Sequence, residues 1–582
     1  MKRIAYITQK MLSKPVLLFA LSICNLIFMH YYILFSCHIE MPLDITSYFD
    51  NLCSVLFETI FLLCILYIVF LKRIKYALAT TFSITLVWAF CNILYSRFFQ
   101  RYLTYSSIGQ AENLIDQTMI SCIIDGLRII DVYFILVPIA YYFLNKTFID
   151  KTISLKPLRY ALIIFSSIIM FNMVIHALYC LSNSKLRYLS YYKERIYNNH
   201  FIIDYNLGRP NWSNFHRGSI RTILAEMTIM YQGSIELNDK QLQIIKKHHI
   251  IPSNKIKTSN APASKNLIFI LVESYLSLAT ELDINGKKVM PFLYSLSNKP
   301  NVYYNGHMHS NITLGQSSDG QFIYMTGLLP LRSILTISKA KNVILPGFPK
   351  IIADHNPKVN SHMVIPTMPS LWEQEAMCKA YGFHSLYSSF DYDDNKRSHL
   401  TDEEMFNLST KIDKVSSQPF FSVLLTMAMH SPYNHEYDQS FHITKYDEAM
   451  NYYLNACHYT DKQIEKYFEH LKKSGLYDNS IIIIASDHQA LEKFVNVEQY
   501  GFNRNLPFFI INSNFDNKCY WDGECNQIDV FPTILDIMGI NSSWRGIGQS
   551  LLSSTYKNNL NDDSWNISEW IIMGNYFSKY QH

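Results

Sequence analysis

At 582 residues the chain has room for more than one domain. Its net charge of +4, without a long basic or acidic run, excludes a charge-driven nucleic-acid binder. Composition shifts sharply along it: the first third is rich in Leu, Ile, Phe, Tyr and Ala, and the remainder reads as an ordinary soluble domain.

Five stretches in residues 1–182 approach the length a bilayer core requires: Pro15–Ser36, Leu52–Leu71, Tyr76–Tyr95, Ile129–Leu144 and Tyr160–Leu181. Asp125, Arg128 and Asp131 crowd the start of the fourth, which predicts an interfacial end or charge pairing inside the bundle. Lys2, Arg3, Lys10 and Lys14 precede the first span, and Lys72, Arg73 and Lys75 fill the second loop. Lys146, Lys151, Lys156 and Arg159 fill the fourth, while Cys37–Asn51 has acids and no Lys or Arg. The positive-inside rule then predicts a cytoplasmic N-terminus and an external position for everything after Leu181. Arg97 and Arg101 in the third loop run against that pattern.

Residues 183–264 read as a juxtamembrane connector with short amphipathic helices such as Ser219–Tyr231, ending in a linker at Asn254–Ser264. From 265 to 582 the pattern becomes continuous β-prone runs separated by helical stretches. The runs are Leu267–Val272, Phe420–Leu425, Ile481–Ile484 and Pro507–Ile511, with a helix across Tyr446–Lys473. Runs without alternation suit strands buried on both faces, as in a parallel sheet covered by helices, so the expected architecture is an α/β sandwich. Cys378, Cys457, Cys519 and Cys525 fall in this part; Cys519 and Cys525 flank a turn signal, and either a disulfide or two thiols fits that spacing.

Three of the runs end in residues able to carry chemistry. The first ends in Glu273, the second leads to His430, and the third ends in Asp487-His488. Ligands of open α/β sheets bind at the carboxyl ends of the strands, so these side chains can converge although far apart in sequence. Two carboxylates and an imidazole suit a divalent cation such as Zn²⁺ or Mn²⁺. Singly, each has an ordinary use: Glu273 as a cap, Asp487-His488 as a turn, His430 as a packed histidine. The polar turn Gly315–Gln321, opening onto Phe322–Met325, reads as a helix N-cap and also as a place for a nucleophilic hydroxyl at a helix N-terminus.

These stretches carry a resemblance. Asn266-Leu-Ile-Phe-Ile-Leu-Val-Glu-Ser274, Gly315-Gln-Ser-Ser-Asp-Gly-Gln-Phe322, Met429-His-Ser-Pro-Tyr433, Ser486-Asp-His488 and Gln527-Ile-Asp-Val-Phe-Pro-Thr533 resemble motifs of the lipoteichoic acid synthase family. Tyr459-Thr-Asp461 and Leu400-Thr-Asp-Glu-Glu-Met-Phe406 are similar as well. That family comprises membrane-anchored members of the alkaline phosphatase and sulfatase superfamily. The resemblance implies a bundle of five transmembrane helices followed by an extracytoplasmic α/β sandwich in a bacterial cytoplasmic membrane. It implies one divalent metal on Glu273, Asp487 and His488, with Mn²⁺ first and Zn²⁺ or Mg²⁺ as alternatives. Ser317 stands at the nucleophile position, commonly Thr, and would also touch the metal; Ser318 is the alternative. His430 would hydrogen-bond the phosphate.

The implied reaction moves a phosphoglycerol-type headgroup from a phospholipid donor to an envelope glycan or glycolipid acceptor through a phosphoserine. One departure concerns the headgroup: where the family has Trp-x-Arg, this chain has Ser388–Arg397, leaving Arg397 and Asp394 as candidates or as solvated loop charges. A phosphoethanolamine transferase is the nearest rival, although such enzymes often carry several external disulfides. A sulfatase-type hydrolase is disfavoured because Ser-Asp-Gly-Gln follows Ser317 in place of the Pro and Arg of the sulfatase motif. A lipid-binding sensor without activity is disfavoured by the intact Glu273, Ser317, Asp487 and His488.

Overall fold

The computed structural model describes residues 14–37, 45–71, 73–109, 123–124, 126–146, 210–231, 233–247 and 265–579. They fall into two compact units, with the chain passing from one to the other at residues 232–233. That passage lies inside the stretch expected as a connector. The expected fifth span, Asp125 and the linker Asn254–Ser264 lie outside the described residues.

In the first unit α1 (Lys14–Ser36), α2 (Ile45–Val69), α3 (Ile74–Phe99) and α4 (Tyr133–Lys146) are apolar helices. With the turn Ile129–Val132 added to α4, four helices among the described residues are long and apolar enough to cross a membrane. Ring stacking holds α4 to its neighbours, Phe28 on Tyr133 at 4.2 Å and Phe82 on Tyr141 at 4.1 Å between centroids. The charges at the start of the fourth span resolve into an ion pair. Arg97 of α3 donates twice to Asp131, at 2.7 Å each, and also to Tyr32 at 3.0 Å. Arg128 adds its backbone N–H to Asp131 at 2.8 Å. Arg97, counted above against the loop-charge pattern, is thus a buried structural partner.

Helices α5 (Pro210–Arg217) and α6 (Ser219–Tyr231) belong to the same unit. Asn51 of α2 donates to the Phe215 carbonyl at 2.7 Å and Ser54 to that of His216 at 2.6 Å. The buried Glu58 of α2 accepts the Ile220 N–H in the first turn of α6, so the carboxylate caps a helix N-terminus.

The second unit is built on one eight-stranded sheet. Its strands are β1 (Asn266–Val272), β2 (Val302–His309), β3 (Asn360–Val364), β4 (Ser385–Tyr387), β5 (Phe420–Leu425), β6 (Ser480–Ser486), β7 (Leu506–Ile511) and β8 (Cys525–Asn526). Their spatial order is β8-β2-β7-β6-β1-β5-β3-β4. β1 is central and runs parallel to β5 and β6. Every residue of β1, β6 and β7 is buried, as expected for apolar runs without alternation. Each fully buried Ile of Ile481–Ile484 contributes about 1.5–3 kcal/mol by leaving water. The Pro507–Ile511 run does form a strand, but β7 is antiparallel to both β2 and β6. A strand covered on both faces reads alike in either direction.

Four helices matter for the site: α7 (Ser317–Thr326), α8 (Asp402–Val415), α9 (Glu448–Lys473) and α10 (Val530–Ile537). Asp447 caps α9 by accepting from the Met450 N–H. Cys519 and Cys525 are free thiols, Cys519 exposed and Cys525 buried in β8; the disulfide alternative does not hold.

Candidate active site

Register brings the first residues together. Val272 of β1 lies opposite Ser486 of β6, so the next residues, Glu273 and Asp487, leave adjacent strands side by side. His488 follows at once, and one ligand atom each from Glu273, Asp487 and His488 fall within 4.8 Å of one another, all three residues buried. The His488 Nε2 lies 3.2 Å from Glu273 Oε1 and 3.7 Å from Asp487 Oδ2. Its Nδ1–H donates to the Gln489 carbonyl at 2.7 Å, which aims Nε2 into the cluster. The Ser274 and His488 N–H groups both donate to Asp487 Oδ1, at 2.9 and 2.7 Å. Ser274 Oγ donates to Glu273 Oε1 at 2.8 Å, and the Glu273 N–H to Thr426 Oγ1 at 3.1 Å.

Electrostatics follow from this crowding. Burial penalises the Asp487 carboxylate and Glu273 repels it, pushing Asp487 up to about 8. Burial acts in the same direction on Glu273, but the neighbouring His488 outweighs it and holds Glu273 well below the ordinary carboxylate range. Burial disfavours a charged His488, yet Asp487 and Glu273 prevail and push it up to about 10. Two carboxylates facing one imidazole make a negative pocket, which protons on Asp487 and His488 or a cation would offset. This donor set fits a divalent cation.

Ser317 opens α7 beside the cluster. Its Oγ lies 3.1 Å from Glu273 Oε2 and 3.0 Å from His488 Nε2, and the residue is half-buried. The turn that delivers it is strained: Gln316 has φ 48° and ψ −120°, a conformation costing about 1–3 kcal/mol for a residue with a side chain. Asp319 Oδ2 holds the turn by accepting from Thr313 N–H, Thr313 Oγ1 and Gly315 N–H, each at 2.9 Å. Gly315 is needed for that, since a Cβ there would meet Asp319 Oδ1 at 2.3 Å. Ser318 turns away and donates to the Gly315 carbonyl at 2.8 Å. The N–H groups of Ser318, Asp319 and Gly320 are taken by the Gly315 and Gln316 carbonyls. The start of α7 therefore offers its dipole more than free donors.

His430 sits in the turn after β5 and acts electrostatically on Glu273. Its Nδ1 contacts the Ser431 carbonyl at 2.5 Å. The loop is held from beneath by Asp402, at the start of α8. Asp402 Oδ1 accepts the Met427 and Ala428 N–H groups at 2.7 and 3.1 Å, and Oδ2 accepts the Thr460 hydroxyl at 2.8 Å. Asp402, Asp319, Thr426 and Ser274 support the site and were not singled out from sequence; the acid inside the Gly315–Gln321 turn and the Thr-Asp at the head of a helical stretch were the available signals. Arg397 donates to Glu404 at 2.9 Å, pairs with Asp393 at 3.2 Å and lies over Tyr392, while Asp394 is exposed in the same loop. Arg397 thus sits in that loop's own charge network.

Residues 265–540 match the Sulfatase family. Among curated proteins, lipoteichoic acid synthase 2 of Bacillus subtilis is 26% identical over 493 residues, 80% of this chain and 73% of that protein. Lipoteichoic acid synthase of Staphylococcus saprophyticus is 25% identical over 583 residues, 94% of this chain and 86% of that protein. Among solved structures, the lipoteichoic acid synthase LtaP of Listeria monocytogenes superposes with a TM-score of 0.46 at 18% identity, covering 58% of this chain and 97% of that one. A sulfatase-family domain thus follows the apolar helices, and over most of its length the chain is similar to lipoteichoic acid synthases.

Proposed function

We propose that the protein transfers a phosphoglycerol-type headgroup from a membrane phospholipid to an envelope glycan or glycolipid, through a covalent phosphoserine at Ser317. The observation that carries this reading is the Ser317 hydroxyl, 3.0 Å from His488 Nε2 and 3.1 Å from Glu273 Oε2 at the lip of a buried three-ligand cluster. Glu273, Asp487 and His488 would hold one divalent cation, Mn²⁺ first and Zn²⁺ or Mg²⁺ as alternatives. When bound, it supplies positive charge that lowers the pKa of the serine hydroxyl and offsets charge on phosphoryl oxygens.

Ser317 Oγ gives up its proton and attacks phosphorus, the bond to the diacylglycerol oxygen breaks, that oxygen takes up a proton, and the headgroup phosphate stays on the serine. An acceptor hydroxyl then attacks the same phosphorus and frees Ser317. His430, its Nδ1 turned to its own chain, presents Nε2 for a phosphoryl oxygen. The dipole of α7 favours the same charge. Arg397 is a headgroup candidate only if it leaves Glu404, and Asp394 would join it from the same loop. The membrane placement proposed is multi-pass in a bacterial cytoplasmic membrane, five spans, N-terminus inside and the sulfatase-type domain outside. That places the site on the side where envelope acceptors lie.

Phosphoethanolamine transfer is the second reading; the outer cysteines Cys378, Cys457, Cys519 and Cys525 are all free, unlike the disulfide-bearing pattern expected of such enzymes. The test is purified full-length protein with labelled phosphatidylglycerol or phosphatidylethanolamine vesicles. Metal-dependent release of diacylglycerol from the former is expected. Release from phosphatidylethanolamine alone would overturn the headgroup, and full turnover by Ser317→Ala would overturn the nucleophile.

A further inference from the structure

Gln527 precedes α10, is fully buried, and joins two segments of the site without facing its interior. Its Nε2 donates to the Asp487 carbonyl at 2.6 Å. Its Oε1 accepts the Asn311 N–H at 3.1 Å and the Ser310 hydroxyl at 3.4 Å. Asn311 returns the contact, its Oδ1 accepting the Ile528 N–H at 3.0 Å. One amide therefore spans the strand end that carries Asp487-His488 and the segment that leads into the Ser317 turn.

We propose that Gln527 is a positioning residue that sets the register between Ser317 and the Asp487-His488 strand end; the inference rests on the role proposed for Ser317. Two further contacts work on the same join. Tyr324 of α7 donates to the Ser486 carbonyl at 2.7 Å, and Gly320 of α7 closes directly on the Asp487 carbonyl. The three ligand side chains have supports of their own: Ser274 Oγ on Glu273, the Ser274 and His488 N–H groups on Asp487, and the Gln489 carbonyl on His488 Nδ1. Loss of Gln527 should therefore move the serine turn relative to the ligands and leave the ligand set assembled. Gln527→Glu keeps an acceptor for Asn311 but sets a second acceptor against the Asp487 carbonyl, whereas Gln527→Ala removes both bonds.

The test uses the full chain in detergent with two substrates. One is phosphatidylglycerol vesicles, and the other is bis(p-nitrophenyl) phosphate, an activated diester that needs no lipid headgroup. In both variants kcat should fall on the order of 100-fold with KM nearly unchanged, while Mn²⁺ affinity by calorimetry stays within about threefold. Hydrogen exchange at the Asn311 amide should quicken in Gln527→Ala and stay near wild type in Gln527→Glu. Wild-type kcat in both variants, or a kcat loss matched by an equal loss of Mn²⁺ affinity or of folded protein, would overturn the proposal. A wild-type protein that cleaves the diester but no phospholipid would sink the lipid reading and leave the register role to be judged on the diester.

Discussion

Gly320→Ala isolates the fit between α7 and the strand end that carries Asp487-His488. An Ala Cβ at 320 would lie 2.1 Å from the Asp487 carbonyl oxygen, 2.7 Å from its carbon and 2.9 Å from the Asp487 Cα. Carbon contacts settle near about 3.5 Å, so the two segments must part by roughly 1 Å. Both sides are backbone, and Asp487 is also held by Gln527 and Ser274, so α7 is the part that yields. Ser317 then leaves its 3.0 Å contact with His488. A misplacement of about 1 Å costs on the order of 100-fold in rate, or roughly 2.7 kcal/mol of barrier. Overpacking also costs about 1–3 kcal/mol of stability. Helix propensity alone predicts the opposite sign, since Ala is favoured over Gly by about 1 kcal/mol in a helix interior. Diacylglycerol release and a thermal melt of the full chain separate the two. A variant with wild-type turnover and a raised melting temperature would refute the close-packing argument.

Further outcomes follow from other contacts. Burial pushes Asp413 up to about 7 against the opposing hydrogen bond from Tyr467, so the folded state keeps a proton that the unfolded chain releases near pH 4. Stability should then fall as pH rises from about 4 to about 7 by on the order of 4 kcal/mol at most, and Asp413→Asn should remove that slope; identical pH–melting profiles would contradict it. Chelation should abolish turnover and lower the melting temperature, since a cation at about 100 times its Kd adds roughly 2.7 kcal/mol; a melt indifferent to chelator and Mn²⁺ would count against the metal site. Arg97→Ala strands the buried side of Asp131 and should cost about 3–5 kcal/mol, with Arg97→Ala/Asp131→Ala costing less than the sum of the single changes. Strict additivity would mean that the pair is uncoupled.

The central strands were legible because β-branched and aromatic residues ran without polar interruption, as in Ile481–Ile484. The outer strands were not: β3, β4 and β8 are short, and Asn, Ser and His within β2 and β3 hide the pattern. Strand direction was equally hidden in β7, whose two covered faces look the same either way. Glu273, Asp487 and His488 could be grouped because strand ends share an edge whatever the intervening sequence. Asp402 and Gln527 could not, because most of their partners are backbone groups, those of Met427, Ala428, Asn311 and Asp487, which any residue type provides. The Arg97–Asp131 pair joins separate helices, and only packing reveals which charges meet.

The covalent step is the most direct test of the whole account. Full-length protein is exposed briefly to phosphatidylglycerol vesicles with Mn²⁺ and no acceptor, quenched in acid, and mapped by peptide mass spectrometry. A headgroup-phosphate adduct on Ser317, absent after chelation, is expected. Diacylglycerol release without any adduct, or an adduct on Ser318 that survives in Ser317→Ala, would contradict it.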